Sequence, residues 1–254
     1  MDRLNNYMEI GVNKVENTYL RTFISAILSG IFISFASIAS IVVSSNITNL
    51  SISRLLSGIV FPVGLILVVM FKAELFTGNI LLIMPYLDKK ITLKQMLRNL
   101  ILVYFGNLVG SIVITFLSFY SPISTIFAES ILKISNTKMS LSFIEGFSLG
   151  VMCNILVTSA VFLASTTKDE KAKITLAYFP IFLFIIMGLE HSVANMYYLS
   201  IGYLLSDNIS INSIFINNLL PVTLGNIIGG IIIGCSTYYL SRCKQWKKKS
   251  HVVQ

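Results

Sequence analysis

The sequence predicts an all-helical integral membrane protein of six transmembrane helices, arranged as two inverted three-helix repeats with the second and fifth helices broken. Three observations carry this. Of 254 residues, 55% are hydrophobic and 12% charged, with a mean hydropathy of +0.80, a composition outside the range of soluble domains. Six apolar stretches each reach the ~20 residues a helix needs to cross a bilayer core. Short motifs also recur in the same order in the two halves of the chain.

The elements follow in order. Residues 1–20 are polar and mixed, with Leu4, Met8, Val12 and Val15 at helical spacing, which predicts an amphipathic helix on the inner membrane face. The spans fall at about 22–43, 55–84, 97–119, 144–165, 174–201 and 218–240, and a basic tail covers 242–254. The connections are short, so residues 1–254 form one transmembrane domain, with repeat one at about 22–119 and repeat two at about 144–240.

Charge sets the orientation. With the N-terminus inside, the inner segments hold fifteen Lys and Arg and the outer loops three (Arg54, Lys133, Lys138), leaving Lys72 within a span, nineteen in all. Both termini are then cytoplasmic and the chain lies in the cell membrane. The net charge of +8 reads as a topology signal beside anionic lipid rather than a nucleic-acid surface. Cys153, Cys235 and Cys243 suggest no disulfide framework, and one histidine within the spans supplies no metal site.

The repeat is carried by three pairs. "AELFTGN" in the second span answers "LEHSVAN" in the fifth, placing Glu74 and Glu190 each five residues before an Asn, 116 residues apart. "GNLVG" at 106–110 answers "GNIIG" at 225–229, and Gly30 answers Gly150, at offsets of 119 and 120. An odd number of spans per repeat inverts the second, and inverted repeats place transport sites near the midplane at discontinuous helices. The Glu-to-Asn stretches are the expected breaks, with Gly78 and Gly188 allowing departure from helical geometry. Glu74 and Glu190, present in both halves, fit a structural role, accepting hydrogen bonds from N–H groups the breaks free. His191 has no counterpart, Leu75 standing in its place, and an ionisable group at mid-membrane points to function. The two Gly-x-x-x-Gly runs read as close helix packing.

The strings "AELFTGN" at 73–79, "CNILVTSAVFLA" at 153–164, "GLEHSVANMY" at 188–197 and "NLLPVTLGNIIGG" at 218–230 together resemble the formate/nitrite transporter family, and within it the hydrosulfide channel branch. The resemblance implies an aquaporin-like fold and a homopentamer with a pore in each protomer. It makes His191 the central pore histidine, Thr77 the hydroxyl facing it and Asn154 a neighbour of that pair. It places Leu75, Phe61, Leu65 and Phe184 at apolar constrictions, and Lys14 and Lys138 in the two vestibules. Lys72 departs from the small residue expected there. It reads either as a snorkelling or Glu74-paired side chain or as positive potential near the pore.

The implied function is a channel for small monovalent weak-acid anions, hydrosulfide favoured and formate and nitrite also passing, with no cofactor. Vestibule lysines would concentrate the anion, apolar rings strip its water, and His191 and Thr77 bind it or hand it a proton, while Glu190 orients the unwound segment. A neutral-solute channel is the alternative, although "TGN" and "VAN" stand where paired "NPA" motifs would be. An enzyme would need a nucleophile–base pair or a metal cluster, and neither is present in the sequence.

Overall fold

Polar caps, rather than the ends of the apolar runs, decide where the long helices begin. The computed structural model describes residues 3–250, with side chains as far as Cys243. Thr18 caps the first long helix by accepting from the N–H of Arg21, and Thr92 and Ser142 form capping boxes with Gln95 and Glu145. These helices therefore start up to four residues before the hydrophobic stretches that predicted them.

In chain order the helices are α1 (Arg3–Glu16), α2 (Tyr19–Ser44), α3 (Leu50–Val60), α4 (Pro62–Met70) and α5 (Phe76–Asn79). A 3-10 turn (Ile80–Leu82) leads into α6 (Ile83–Leu87), then α7 (Leu93–Phe119), α8 (Pro122–Ile126), α9 (Ala128–Met139) and α10 (Phe143–Ser165). There follow α11 (Glu170–Ile186), α12 (Ser192–Leu205), α13 (Ile211–Ser213), a π-helical turn (Ile214–Leu219) and α14 (Leu220–Ser250). The basic tail predicted at 242–254 runs past the described side chains, and its last four residues lie outside the described chain.

Among the described residues, five helical segments are long and apolar enough to cross a membrane: 19–44, 50–70, 93–119, 143–165 and 211–243. The predicted second stretch is divided, helical to Met70, irregular at 71–75 and helical again from Phe76. The predicted fifth is divided likewise into α11 and α12, of 17 and 14 residues. Large apolar side chains such as Phe105, Leu117 and Phe179 point outward, the surface expected of a multi-pass membrane protein facing lipid tails.

Two helix pairs form the frame, α2 with α7 and α10 with α14. In lipid there is little hydrophobic drive between helices, so close backbone approach through small residues has to hold such pairs. A Cβ on Gly110 would strike the Ile27 carbonyl, and one on Gly30 that of Asn107. The other pair repeats this: Cβ atoms on Gly225 and Gly229 would strike the carbonyls of Phe147 and Val151. Helix α1 packs on protein: Leu4, Tyr7 and Met8 lie buried with Leu81 and Met84, and Val15 with Leu82 and Ile91.

Candidate functional site

The two interruptions share one backbone design. After α4 the amides of Lys72 and Ala73 turn back to the carbonyls of Val69 and Val68, at 3.1 and 2.9 Å. After α11 those of Gly188 and Leu189 turn back to Ile185 and Phe184, at 2.9 and 3.1 Å. This is the Schellman pattern, which needs a left-handed residue just past the helix. Gly188 takes it at φ +67° and Lys72, 116 positions earlier, at φ +53°. The small residue expected at 72 is thus demanded by the backbone, and lysine occupies a conformation that costs an L residue about 1 kcal/mol.

Buried asparagines hold the interruptions open. Asn107 Oδ1 accepts the amide of Phe76 at 2.9 Å, while its Nδ2 donates to the carbonyls of Ala26 and Glu74 at 2.8 and 2.9 Å. Asn226 does the same in the second half: Oδ1 accepts from Ser192 N at 2.9 Å, and Nδ2 donates to the carbonyls of Gly150 and Glu190 at 2.8 and 3.0 Å. The role expected of Glu74 and Glu190, accepting freed N–H groups, belongs to these asparagines. A two-faced amide can serve an orphan donor and an orphan acceptor together, whereas a carboxylate only accepts. The signal was present in the sequence: each Asn follows the first glycine of a Gly-x-x-x-Gly run, at the repeat's own offset.

The glutamates instead anchor two matching clusters. Glu74 Oε2 takes Lys14 Nζ at 2.8 Å and Asn79 Nδ2 at 2.5 Å, Asn79 Nδ2 also donates to Asn99 Oδ1 at 2.8 Å, and Asn99 Nδ2 returns to the Lys14 carbonyl at 3.3 Å. Glu190 Oε1 takes Lys138 Nζ at 2.8 Å and its Oε2 takes Asn195 Nδ2 at 2.6 Å. Asn195 Nδ2 also donates to Asn218 Oδ1 at 2.7 Å, and Asn218 Nδ2 returns to the Lys138 carbonyl at 2.9 Å. Asn218 lies in the π-helical turn, whose extra residue per turn re-aims side chains. Lys14 and Lys138 are therefore paired rather than free. Glu74's partner is Lys14, so the pairing of Lys72 with Glu74 does not occur; Lys72 is exposed.

The two interruptions meet at Thr77 and His191, whose Oγ1 and Nε2 are 2.8 Å apart, both buried. His191 is also the N-cap of α12, its Nδ1 accepting the amide of Ala194 at 3.2 Å. With Nδ1 an acceptor, the neutral ring carries its proton on Nε2 and donates it to Thr77 Oγ1, leaving the threonine O–H free to donate elsewhere. Asn154 joins them: Nδ2 donates to the carbonyls of Thr77 and Asn226 at 3.2 and 2.5 Å, and its buried Oδ1 has no partner.

A cavity of about 690 Å³ opens onto this centre from the α9 side. His191, Phe61 and Phe184 line its inner end, and Arg54, Lys133 and Lys138 line its walls. Phe61 and Phe184 meet edge to face with ring centroids 5.6 Å apart, and Phe184 lies 6.0 Å from the His191 ring. Leu65 and Leu75 are as buried as the two phenylalanines, each 2% exposed. Leu75 occupies at α5 the N-cap position that His191 holds at α12, with no side chain able to cap.

Comparison with known proteins gives one consistent result. The formate/nitrite transporter family model matches residues 2–240. The formate channel FocA of Escherichia coli (strain K12) is 31% identical over 256 residues, covering 91% of this chain and 90% of the relative. A probable formate transporter of Methanothermobacter thermautotrophicus is 34% identical over 247 residues, 89% and 90% of the two chains. Among solved structures, a pentameric formate channel with formate bound matches at a TM-score of 0.78 and 31% identity, over 89% of this chain and 98% of that one. An FNT family ion channel matches at 0.87 and 27%, over 94% and 98%. The aquaglyceroporin of Plasmodium falciparum shares the fold alone, at 0.54 and 17% over 87% and 96%.

Proposed function

The chain belongs to the formate/nitrite transporter family, and we propose that it is a pentameric, six-crossing channel carrying small weak-acid anions through a pore in each protomer. In this reading α3 to α6 together make the second crossing and α11 with α12 the fifth, the second repeat is inverted, and both termini are cytoplasmic. The observation that carries the reading is the Thr77–His191 hydrogen bond at the end of an aromatic-gated cavity.

The chemistry follows from desolvation. A bare anion entering an apolar constriction loses more hydration energy than two neutral donors return, and taking a proton removes that cost. Phe61 and Phe184 strip the water on one side of the centre, Leu75 and Leu65 on the other. The Thr77 hydroxyl, its oxygen already accepting from His191, donates to the anion. The unpartnered Asn154 Oδ1 suits the O–H of the acid form, because a protonated substrate is a donor and a bare anion is not. His191 Nε2–H holds the threonine oxygen and so turns its O–H toward the anion; the ring keeps its single proton, and the proton of the acid form comes from water at the mouth. The lysine–glutamate–asparagine clusters hold the interruptions in register.

Formate comes from the relatives and nitrite from the family to which the chain belongs. Hydrosulfide joins them on physical grounds: it is a weak-acid anion that dehydrates more readily than formate and presents one soft atom to a narrow apolar gate. The test is flux into proteoliposomes, comparing formate, nitrite, hydrosulfide and glycerol. The anion reading predicts that formate passes and glycerol does not. Glycerol passage with no anion flux would make this a neutral-solute channel and His191 a purely structural cap.

A further inference from the structure

We infer that Arg54 is an entry site of this pore, a guanidinium fork that captures planar two-oxygen anions, formate or nitrite, at the α9-side mouth before they reach His191. This rests on the anion-channel reading above and adds to it a residue that decides which anions are taken up, and from which side.

Three observations carry it. Arg54 lines the same cavity of about 690 Å³ that ends at His191. Unlike Lys138, whose charge is cancelled by Glu190 at 2.8 Å, Arg54 forms no ion pair among the described residues. Counting the remaining charges that line the cavity, Arg54 and Lys133 face one carboxylate, Glu129, so the mouth keeps an excess of positive charge.

The third observation is the seat. A Cβ on Gly188 would stand 2.7 Å from Arg54 Nη2 and 2.9 Å from its Cζ, so the guanidinium lies against the backbone of the interruption itself, three residues before His191. Gly188 serves twice, taking the left-handed turn that ends α11 and leaving room for the arginine. In the first half the equivalent place is filled by a side chain, Lys72. The two interruptions thus differ in the cation they hold, a flat fork with its donors fixed on one side and a flexible point charge on the other.

That difference selects by shape. A guanidinium offers two parallel N–H donors matched to the two oxygens of a carboxylate or nitrite, and lysine cannot reproduce that match. Hydrosulfide has a single acceptor atom and gains nothing from a fork. Arg54 therefore favours formate and nitrite over hydrosulfide at this face, which the positive-inside count places outside.

The test uses the full-length protein in proteoliposomes of assayed orientation, with wild type beside R54K and R54Q. Uptake from the Arg54 face is measured against formate and against hydrosulfide concentration. R54K keeps the charge and loses the fork. Half-saturation for formate should rise about five-fold in R54Q, the size of one exposed charge contact, and about two- to three-fold in R54K, which loses only the fork. Half-saturation for hydrosulfide should hold in R54K. Formate entering from the opposite face should keep its wild-type half-saturation, which also shows that the variants fold. An R54K protein indistinguishable from wild type for formate, or shifted equally for formate and hydrosulfide, overturns the fork. Wild type passing neither formate nor nitrite overturns the channel reading, and the capture site with it.

Discussion

His191 does two things with one ring, capping α12 through Nδ1 and reaching Thr77 through Nε2. The two roles can be separated, because asparagine is also a strong N-cap. His191→Asn should assemble normally and lose about ten-fold in formate flux, the size expected when the buried hydrogen bond that orients the Thr77 hydroxyl is lost. Flux within two-fold of wild type would leave the histidine as a cap alone. Lys72 makes the opposite kind of case. Its φ of +53° is relieved by glycine, so Lys72→Gly should raise the thermal midpoint in detergent, with about 1 kcal/mol of stabilisation. A lowered midpoint would mean that the side chain holds something the strain argument omits. At this scale the sequence told much about His191, whose unmatched place in the repeat marked it. It told little about Asn107 and Asn226, because a Gly-x-x-x-Gly run already has a sufficient reason in packing. Only the fold shows that the same helices also serve freed amides.

The elements are tied by ion pairs at the interruptions and by glycine contacts along the frame. Lys138 and Glu190 are 14% and 7% exposed in their side chains, so removing one partner leaves a nearly buried charge. Glu190→Met should destabilise by about 3–5 kcal/mol, and Lys138→Met combined with Glu190→Met by clearly less than the sum of those two single changes. Simple additivity, measured by denaturation in detergent, would show that the pair is not coupled. Along the frame, Gly225→Ala drives a methyl into the Phe147 carbonyl and should cost about 1–3 kcal/mol as α14 is pushed off α10. An unchanged midpoint would contradict the close approach. Helix existence was legible from apolar length, and the ends were not, because Thr92 and Ser142 extend α7 and α10 beyond the hydrophobic runs. The pairing of Lys14 with Glu74 and of Lys138 with Glu190 was not legible. The partners lie 60 and 52 residues apart, beyond the reach of local pattern.

The whole molecule repeats one plan. Each half has a paired frame, an interruption held by an asparagine, and a lysine–glutamate–asparagine cluster. The halves differ where they meet: Leu75 stands against His191, and Thr77 against Val193. Symmetry builds the site and its breaking supplies the donor groups, which is why the repeat could be read from sequence while the contact across it, Thr77 to His191 at 114 residues' separation, required the fold. In the proposed channel these two side chains handle the anion together. The most direct measurement is formate flux through Thr77→Val, the residue the other half already carries and nearly the same shape. The variant should be intact and wild type in its oligomeric state, with formate flux reduced by about ten-fold or more, the loss expected when a buried site gives up its hydrogen-bond donor. Flux equal to wild type would mean that the threonine hydroxyl never meets the substrate, and the pairing with His191 would then serve only to join two broken helices.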